Sequence, residues 1–103
     1  MRRDYERRLP ADWRDVAQVF TALGDEHRQR ILLLFERGEE LTITRIVEAA
    51  PLARTSVVHH LKALEAAGVL ARRKAGREVF YRIDTARLRA ALQRVLHYLE
   101  NQL

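Results

Sequence analysis

The chain has 103 residues, 48% of them hydrophobic and 32% charged, which is typical of a single globular domain and excludes disorder of the whole chain. It has no cysteine, which excludes disulfides, thiolate metal ligands and thiol redox chemistry. The longest apolar run, Ile31–Phe35, is too short to span a membrane. Because Met1–Asp4 leads into no apolar segment, we also expect no secretory signal and a cytoplasmic location.

The positive charge of the chain is concentrated in one segment. The net charge is +5, and residues 54–82 account for all of it with seven basic and two acidic side chains. The basic ones are Arg54, Lys62, Arg72, Arg73, Lys74, Arg77 and Arg82. Residues 1–10 are expected to form a solvated tail, because their arginines alternate with Asp4 and Glu6. A one-sign concentration predicts a polyanionic partner for residues 54–82.

The first part of the chain predicts two helices. A first helix begins at Pro10 and ends at Gly24. Its apolar residues recur at helical spacing: Trp13, Val16, Ala17, Phe20 and Leu23. A second helix is predicted over about 26–37, and its centre, Ile31–Phe35, is apolar nearly all round, so we expect it in the middle of the core. An exposed acidic loop, Glu39–Glu40, should follow.

The middle of the chain has the outline of a helix-turn-helix, over residues 42–67. A short helix is predicted over about 42–49, and Pro51 ends it. A fourth helix follows over about 54–67, with Gly68 just beyond its end. Its inward positions are Val57, Leu61 and Leu64. Two short helices joined by a proline-containing turn are typical of this motif.

After Gly68 the periodicity changes from that of a helix to that of strands. Val69–Lys74 and Glu78–Ile83 are predicted to pair as a hairpin over 69–83, the wing. A last helix is predicted over about 85–101. The predicted fold is therefore mainly α with a small β-hairpin, in the order α-α-α-α-β-β-α. We interpret residues 1–103 as one winged helix-turn-helix domain.

The first and last helices have no evident part in the winged helix-turn-helix itself. Each carries an apolar stripe that suits the interface of a homodimer. The predicted interface residues are Trp13, Val16, Phe20, Leu88, Leu92, Val95 and Leu99.

Three motifs resemble the ArsR/SmtB family of dimeric winged-helix repressors. Phe20–Leu32 resembles the family's opening, ALxDxxRxxIL, Val57–Leu70 resembles SxHLxxLxxAGLV, and Gly76–Ile83 resembles the wing motif, GRxxxYxL. The resemblance extends from about Val16 to Leu99. Val58 departs from it, since the family often has serine there. The resemblance implies a repressor that responds to a metal or another signal.

The DNA-binding face follows from the predicted burial of the fourth helix. With one stripe inward, the other side faces the DNA major groove. The predicted contacts are Arg54, Thr55, Ser56, His59 and Lys62 on the helix, with Arg72, Arg73, Lys74 and Arg77 on the wing. Arg77 is the candidate for the minor groove. His60 falls on the inner stripe and is interpreted as a packed structural histidine.

The sequence offers no complete metal site. The family's cysteine positions correspond to Thr42 and Thr44, which cannot replace thiolate ligands. The family's last-helix site is matched, after a one-residue shift, by Asp84, His97 and Glu100, with alanine at the fourth position. We therefore predict no metal and no other cofactor. A non-metal effector, a partner protein and constitutive repression all stay open.

The leading interpretation is a homodimeric, sequence-specific transcriptional repressor that binds a palindromic operator in double-stranded DNA. A MarR-like regulator is one alternative, although members of that class tend to be longer. A winged-helix module that binds protein or RNA without an operator is another. An enzyme is not predicted, because the sequence has no hydrolase or metalloprotease motif and its one serine, Ser56, has no triad spacing.

Overall fold

A computed structural model describes residues 1–3, 5 and 7–103; Asp4 and Glu6, the acids of the predicted tail, lie outside them. The described residues form five helices and three strands: α1 (Ala11–Leu23), α2 (Glu26–Leu32), β1 (Leu41–Thr42), α3 (Ile43–Ala49), α4 (Arg54–Ala66), β2 (Leu70–Ala75), β3 (Glu78–Ile83) and α5 (Thr85–Asn101). The predicted mainly α fold with a small β-hairpin is confirmed. Within this part of the chain, no helix combines the length and apolar character needed to cross a membrane.

Side chains at the N-termini of three helices explain where those helices begin. The Asp25 carboxylate accepts hydrogen bonds from the backbone N–H groups of His27 and Arg28, at 2.8 and 3.1 Å, and begins α2. The bond from Arg28 is the main cause of the lowered pKa of Asp25. Thr42 caps α3 and Asp84 caps α5 in the same way. Each cap pairs a backbone donor that the helix itself leaves free.

The burial of one side of α4 organises the fold. Val57, Leu61 and Leu64 are completely buried along that side of the helix. The helix ends at Gly68, whose φ of +77° suits a residue without a side chain. The Val69 N–H donates to the Leu64 carbonyl and the Gly68 N–H to the Glu65 carbonyl, both at 2.9 Å. These two bonds form a Schellman motif, which turns the chain from α4 into the wing.

The sheet has one more strand than the sequence predicted. The strand order is β1-β3-β2, all antiparallel, and β1 adds Leu41 and Thr42 opposite Tyr81 and Phe80. The prediction missed β1 because two residues carry no detectable alternation. Gly76 and Arg77 join β2 to β3. Gly76 has a positive φ of +62° and Arg77 does not, a combination that is typical of a two-residue type II′ turn.

The second helix is shorter and less central than predicted. It ends at Leu32, after which the N–H groups of Leu34 and Phe35 bond to carbonyls three residues back. With this tighter geometry Leu32, Leu34 and Phe35 still pack against the core, but Leu33 points to solvent. Ile31 is buried, but Leu33 is 83% exposed, so the expectation that the whole run lies in the middle of the core is wrong.

The core lies between α4, the start of the sheet and the inner sides of α1, α2 and α3. Its completely buried larger side chains are Val19, Ile31, Ile46, Val57, Leu61, Leu64 and Val69. Helices α1 and α5 also pack against each other, as an antiparallel pair. The Trp13 and Tyr98 rings meet edge to face at 5.6 Å, and Arg94 donates to Asp12 at 2.8 Å. The two helices therefore form one unit within a single chain.

The two glycines that follow α4 and β2 should tolerate alanine differently. A Cβ at Gly68 would lie 3.0 Å from Arg87 Nε, whereas a Cβ at Gly76 would meet nothing within 4 Å. Gly76→Ala should lower the free energy of unfolding by about 1–2 kcal/mol, the cost of a left-handed residue with a side chain. Gly68→Ala should cost about 1 kcal/mol more, because Arg87 must also move. Urea denaturation measures both, and equal losses would contradict the close approach of Arg87.

Candidate nucleic-acid interface

The outer side of α4 presents polar and basic side chains to solvent. Arg54, Thr55, His59 and Lys62 are exposed, and Ser56 is half-buried. Thr55, His59 and Lys62 lie opposite the buried stripe of the helix. Arg54 is the first residue of α4, about one turn before Val57, and Ser56 lies at the edge of the stripe. The arrangement gives a helix that can enter a groove while its other side stays in the core.

Arg54 borders a groove that connects the helix-turn-helix to the wing. The groove has a volume of about 630 Å³ and extends from the start of α3 to the hairpin turn. Three basic residues from separate parts of the chain line it, Arg45, Arg54 and Arg77. Three acidic residues, Glu39, Glu40 and Glu78, line it as well, so the groove carries both signs of charge. Sequence reasoning did not predict Arg45 as a contact, because acidic and basic residues are mixed around it in the chain. Its position is set by Thr42, which caps α3 by accepting from the Arg45 N–H at 3.2 Å.

On the wing, two of the predicted basic contacts are held by carboxylates. Arg72 Nε lies 3.0 Å from Glu65 Oε1, and this ion pair links β2 to the C-terminal end of α4. Arg73 donates to both oxygens of Glu40, at 2.6 and 3.1 Å, and lies over the Phe80 ring at 4.7 Å. The pair lowers the pKa of Glu40 and raises that of Arg73. Arg73 therefore fastens the wing to the segment before β1.

This contact corrects two expectations from the sequence. Glu40 is half-buried and ion-paired, so Glu39–Glu40 is not simply an exposed acidic loop. Arg73, predicted to contact phosphate, has its guanidinium occupied by that carboxylate. Sequence reasoning could not detect the pair, because Glu40 and Arg73 lie 33 positions apart.

Lys74 and Arg77 keep the exposed position expected of them. Both are open to solvent, and within the described ranges neither forms an ion pair with a carboxylate. Arg77 occupies the hairpin tip, where a turn of two residues projects it beyond the sheet. Among the described residues of the basic segment 54–82, Arg54, Lys62, Lys74, Arg77 and Arg82 form no ion pair, and four of them lie at the tip of the wing or along α4.

His60 lies on the inner side of α4, as the sequence suggested. Its ring is half-buried, and its Nδ1 atom is buried with no hydrogen-bond partner among the described residues. The rings of His27 and His59 lie 5.8 and 5.7 Å away. Burial lowers the pKa of His60, and the nearby Asp25 carboxylate only partly opposes this effect.

The three candidate metal ligands of the last helix do not meet within one chain. Asp84 and His97 are separated by thirteen positions of helix, which is about 20 Å. The Asp84 carboxylate caps α5, and the Asn101 amide lies 3.1 Å from His97 Nδ1. In the part of the chain that the structure describes, no three His, Cys, Asp or Glu side chains could together hold a metal ion.

Helix α5 has an outer apolar side as well as the inner side that packs on α1. Leu92, Leu96 and Leu99 are 47%, 52% and 52% exposed, and Phe20 on α1 is 43% exposed. The other predicted interface residues differ. Val16 is buried in the chain's own core, and Trp13, Leu88 and Val95 pack against that core. Val16 is therefore not open to a second copy, whereas Trp13, Leu88 and Val95 are partly exposed and stay predicted interface residues.

Comparisons with known proteins agree with this architecture. A family model described as a helix-turn-helix domain matches residues 23–73. The chain is 30% identical to the transcriptional repressor SdpR of Bacillus subtilis over 79% of this chain and 89% of that protein. It is 37% identical to the arsenic resistance transcriptional regulator ArsR1 of Pseudomonas putida over 63% of this chain. That match spans about half, 51%, of the Pseudomonas protein.

Two solved structures extend the likeness to the whole fold. An ArsR-like transcriptional regulator from Rhodococcus sp. RHA1 superposes with a TM-score of 0.78 at 30% identity, covering 90% of each chain. A homodimeric winged helix-turn-helix DNA-binding domain from Mycobacterium bovis, a possible ArsR-family regulator, gives 0.68 at 32% identity, covering 95% of this chain and 90% of that one. The fold and interface define a winged helix-turn-helix regulator. The chain belongs to the ArsR family of transcriptional regulators.

The stability of the protein should fall in mild acid because of His60. Its pKa is lowered below the ordinary 6.5 in the folded state, so the unfolded chain takes up the proton first as the pH falls. The stabilisation is complete above about pH 6.5 and decreases below it. In the His60→Leu variant, the free energy of unfolding should change less between pH 7.5 and 5 than it does in the wild type. Urea denaturation at several pH values measures this change.

His97→Gln is the control, because His97 is an exposed histidine on α5 and is not among the groups that shift the pKa of His60. It should leave the pH dependence of the wild type unchanged. The assignment to His60 is wrong if the two variants lose stability in parallel as the pH falls.

Proposed function

We propose that this protein is a homodimeric, sequence-specific transcriptional repressor that binds a palindromic DNA operator through α4 and the β2–β3 wing. The observation that carries the proposal is the two-sided character of α4. Its inner side is completely buried, its outer side is polar and basic, and the exposed Arg77 lies beside it on the wing tip. The segment from α4 to the end of the wing also contains the whole net charge of the chain.

The proposed contacts divide by chemistry. Thr55, Ser56 and His59 on α4 are placed to read base edges in the major groove, since they can donate or accept hydrogen bonds. Arg54 and Lys62 contact phosphates on either side, as does Arg45. Arg77 enters the adjacent minor groove, and Lys74 contacts its backbone. Arg72 and Arg73 support the wing through their carboxylate partners, with a smaller part in phosphate binding.

The second copy is proposed to bind along the outer side of α5. Leu92, Leu96 and Leu99 form an exposed apolar stripe there, and apolar stripes of this kind mark interaction surfaces. The homodimeric relative from Mycobacterium bovis supports this assembly. Two-fold symmetry then gives inverted half-sites about 10 base pairs apart.

The signal that releases the DNA is proposed to differ from a thiolate-bound metal. The relative from Pseudomonas putida is named for arsenic resistance, but this chain has no cysteine. Thr42, at one of the family's cysteine positions, is the cap of α3. We propose that repression is either constitutive or relieved by a non-metal effector.

Fluorescence anisotropy tests DNA binding. The purified protein should bind the duplex upstream of its own coding sequence more tightly than a scrambled duplex of equal length. Equal binding to both that is abolished by moderate salt would contradict a sequence-specific operator at that place. RNA of the same sequence, added as competitor, distinguishes a DNA regulator from an RNA-binding module.

Arg77→Ala should weaken binding to the operator duplex more than binding to the scrambled duplex, because an arginine in the minor groove responds to the sequence-dependent width of that groove. The slope of the logarithm of affinity against the logarithm of salt concentration should fall by about 1 for each phosphate that the variant no longer neutralises. Arg30→Ala removes the same charge from an exposed position on α2 and is the control. If the two variants have equal effects, the wing tip has no specific part and only net charge matters.

Leu92→Glu combined with Leu96→Glu should convert the dimer to a monomer without unfolding it. These leucines are half exposed within one chain, whereas Val95 packs on the core and is left intact. The dimer dissociation constant should rise by about a hundredfold or more, because buried leucines are replaced by charges. Light scattering after size-exclusion chromatography measures it. Leu33→Glu, at an exposed leucine outside α5, should remain dimeric; a monomer there would contradict the α5 assignment.

A further inference from the structure

The Arg87 side chain lies where three parts of the fold come together: α1, the start of α5 and the end of α4. It lies in the first turn of α5, and its guanidinium donates to Asp15 on α1 at 3.2 Å and to Gln18 at 3.4 Å. Its side-chain stem lies across Gly68, the residue that ends α4. One side chain therefore contacts the helices of the proposed dimer interface and the end of the recognition helix.

Arg87 occupies the space that a side chain at Gly68 would need. A Cβ at Gly68 would lie 3.0 Å from Arg87 Nε and 3.3 Å from its Cγ and Cζ. The Nε atom is buried and has no hydrogen-bond partner among the described residues. Arg87 thus buries its Nε atom beside Gly68 without a hydrogen bond that would compensate for the loss of contact with water. Packing at this position fixes where α4 ends relative to α5.

A second link at the same place makes the junction rigid. The Asp84 N–H donates to the Val69 carbonyl at 2.9 Å, so the residue that caps α5 is bonded to the residue that follows the end of α4. Asp84 in turn accepts from the Arg87 N–H at 3.0 Å. The α4 end and the α5 start are therefore connected through backbone as well as through the Arg87 side chain.

We propose that Arg87 is a positioning residue that sets the angle of the recognition helix relative to the dimer helices, and thereby the half-site spacing that the dimer accepts. This inference rests on the proposed function. Helix α4 has 13 residues and is about 20 Å long. A rotation of about 10° at its Gly68 end moves its DNA-contacting end by roughly 3 Å, close to the rise of one base pair.

Arg94 provides a matched control on the same helix. It also connects α5 to α1 by an ion pair, with Asp12 at 2.8 Å, and it lies over the Trp13 ring at 4.8 Å. Both of these interactions are with α1. Arg87→Met and Arg94→Met remove the same charge and one α1–α5 ion pair each. Only the first also releases the guanidinium that lies over Gly68.

The test is in vitro selection from a random duplex pool with the wild-type protein and each variant. Wild type should enrich two inverted half-sites at one spacing. Arg87→Met should enrich the same half-site at several spacings, and Arg94→Met at the wild-type spacing. In binding assays, a one-base-pair change of spacing should cost the wild type about tenfold in affinity and Arg87→Met about threefold or less.

The outcomes separate the inference from the function beneath it. If Arg87→Met keeps the single wild-type spacing, or if Arg94→Met broadens it equally, Arg87 does not set the angle and the inference fails. If wild type enriches no inverted repeat, the proposed operator binding fails and the inference fails with it. If Arg87→Met does not fold, Asp15→Asn is the second variant. It removes the ion pair but keeps the arginine side chain, so it should broaden the accepted spacing to a smaller degree.

Discussion

The burial of one side of α4 is the constraint on which the rest of the structure depends. Val57, Leu61 and Leu64 are completely buried, and burying each contributes roughly 1.5–3 kcal/mol. Together these terms are comparable with the whole net stability of a small domain. The helix is therefore held in one rotational setting about its own axis. That setting leaves Thr55, His59 and Lys62 outward, so the core determines which residues can meet a nucleic acid.

The charge available to a ligand differs from the charge counted in the sequence. Among the residues that the structure describes, four arginines are paired with carboxylates: Arg72 with Glu65, Arg73 with Glu40, Arg87 with Asp15 and Arg94 with Asp12. The first two pairs brace the wing, and the last two join α1 to α5. Exposed pairs of this kind add little stability individually, so their main consequence is to reduce the number of arginines that are free to bind an anion.

The two sides of α5 make different contacts. One side packs within the chain, and the other is proposed to bind a second copy. The inner side, with Ala91, Arg94 and Tyr98, packs on α1, and the outer side carries half-exposed leucines. Because α5 also begins at the end of α4, its position bears on the recognition helix. An apolar stripe in the sequence does not separate these tasks, since Val95 and Leu96 are neighbours with different environments.

Local sequence determined most of the secondary structure. The spacing of apolar residues, Pro51 at the end of the third helix, and the glycines after α4 and β2 predicted the five helices and the hairpin. Capping and turn preferences act within a few residues, so they can be detected without the fold. Tertiary structure alone decided the strand β1, the early end of α2, and the pairing of Glu40 with Arg73. It also decided which apolar residues of α1 and α5 face the chain's own core and placed Arg87 over Gly68. These features depend on contacts between residues far apart in the chain, and no local pattern encodes such contacts.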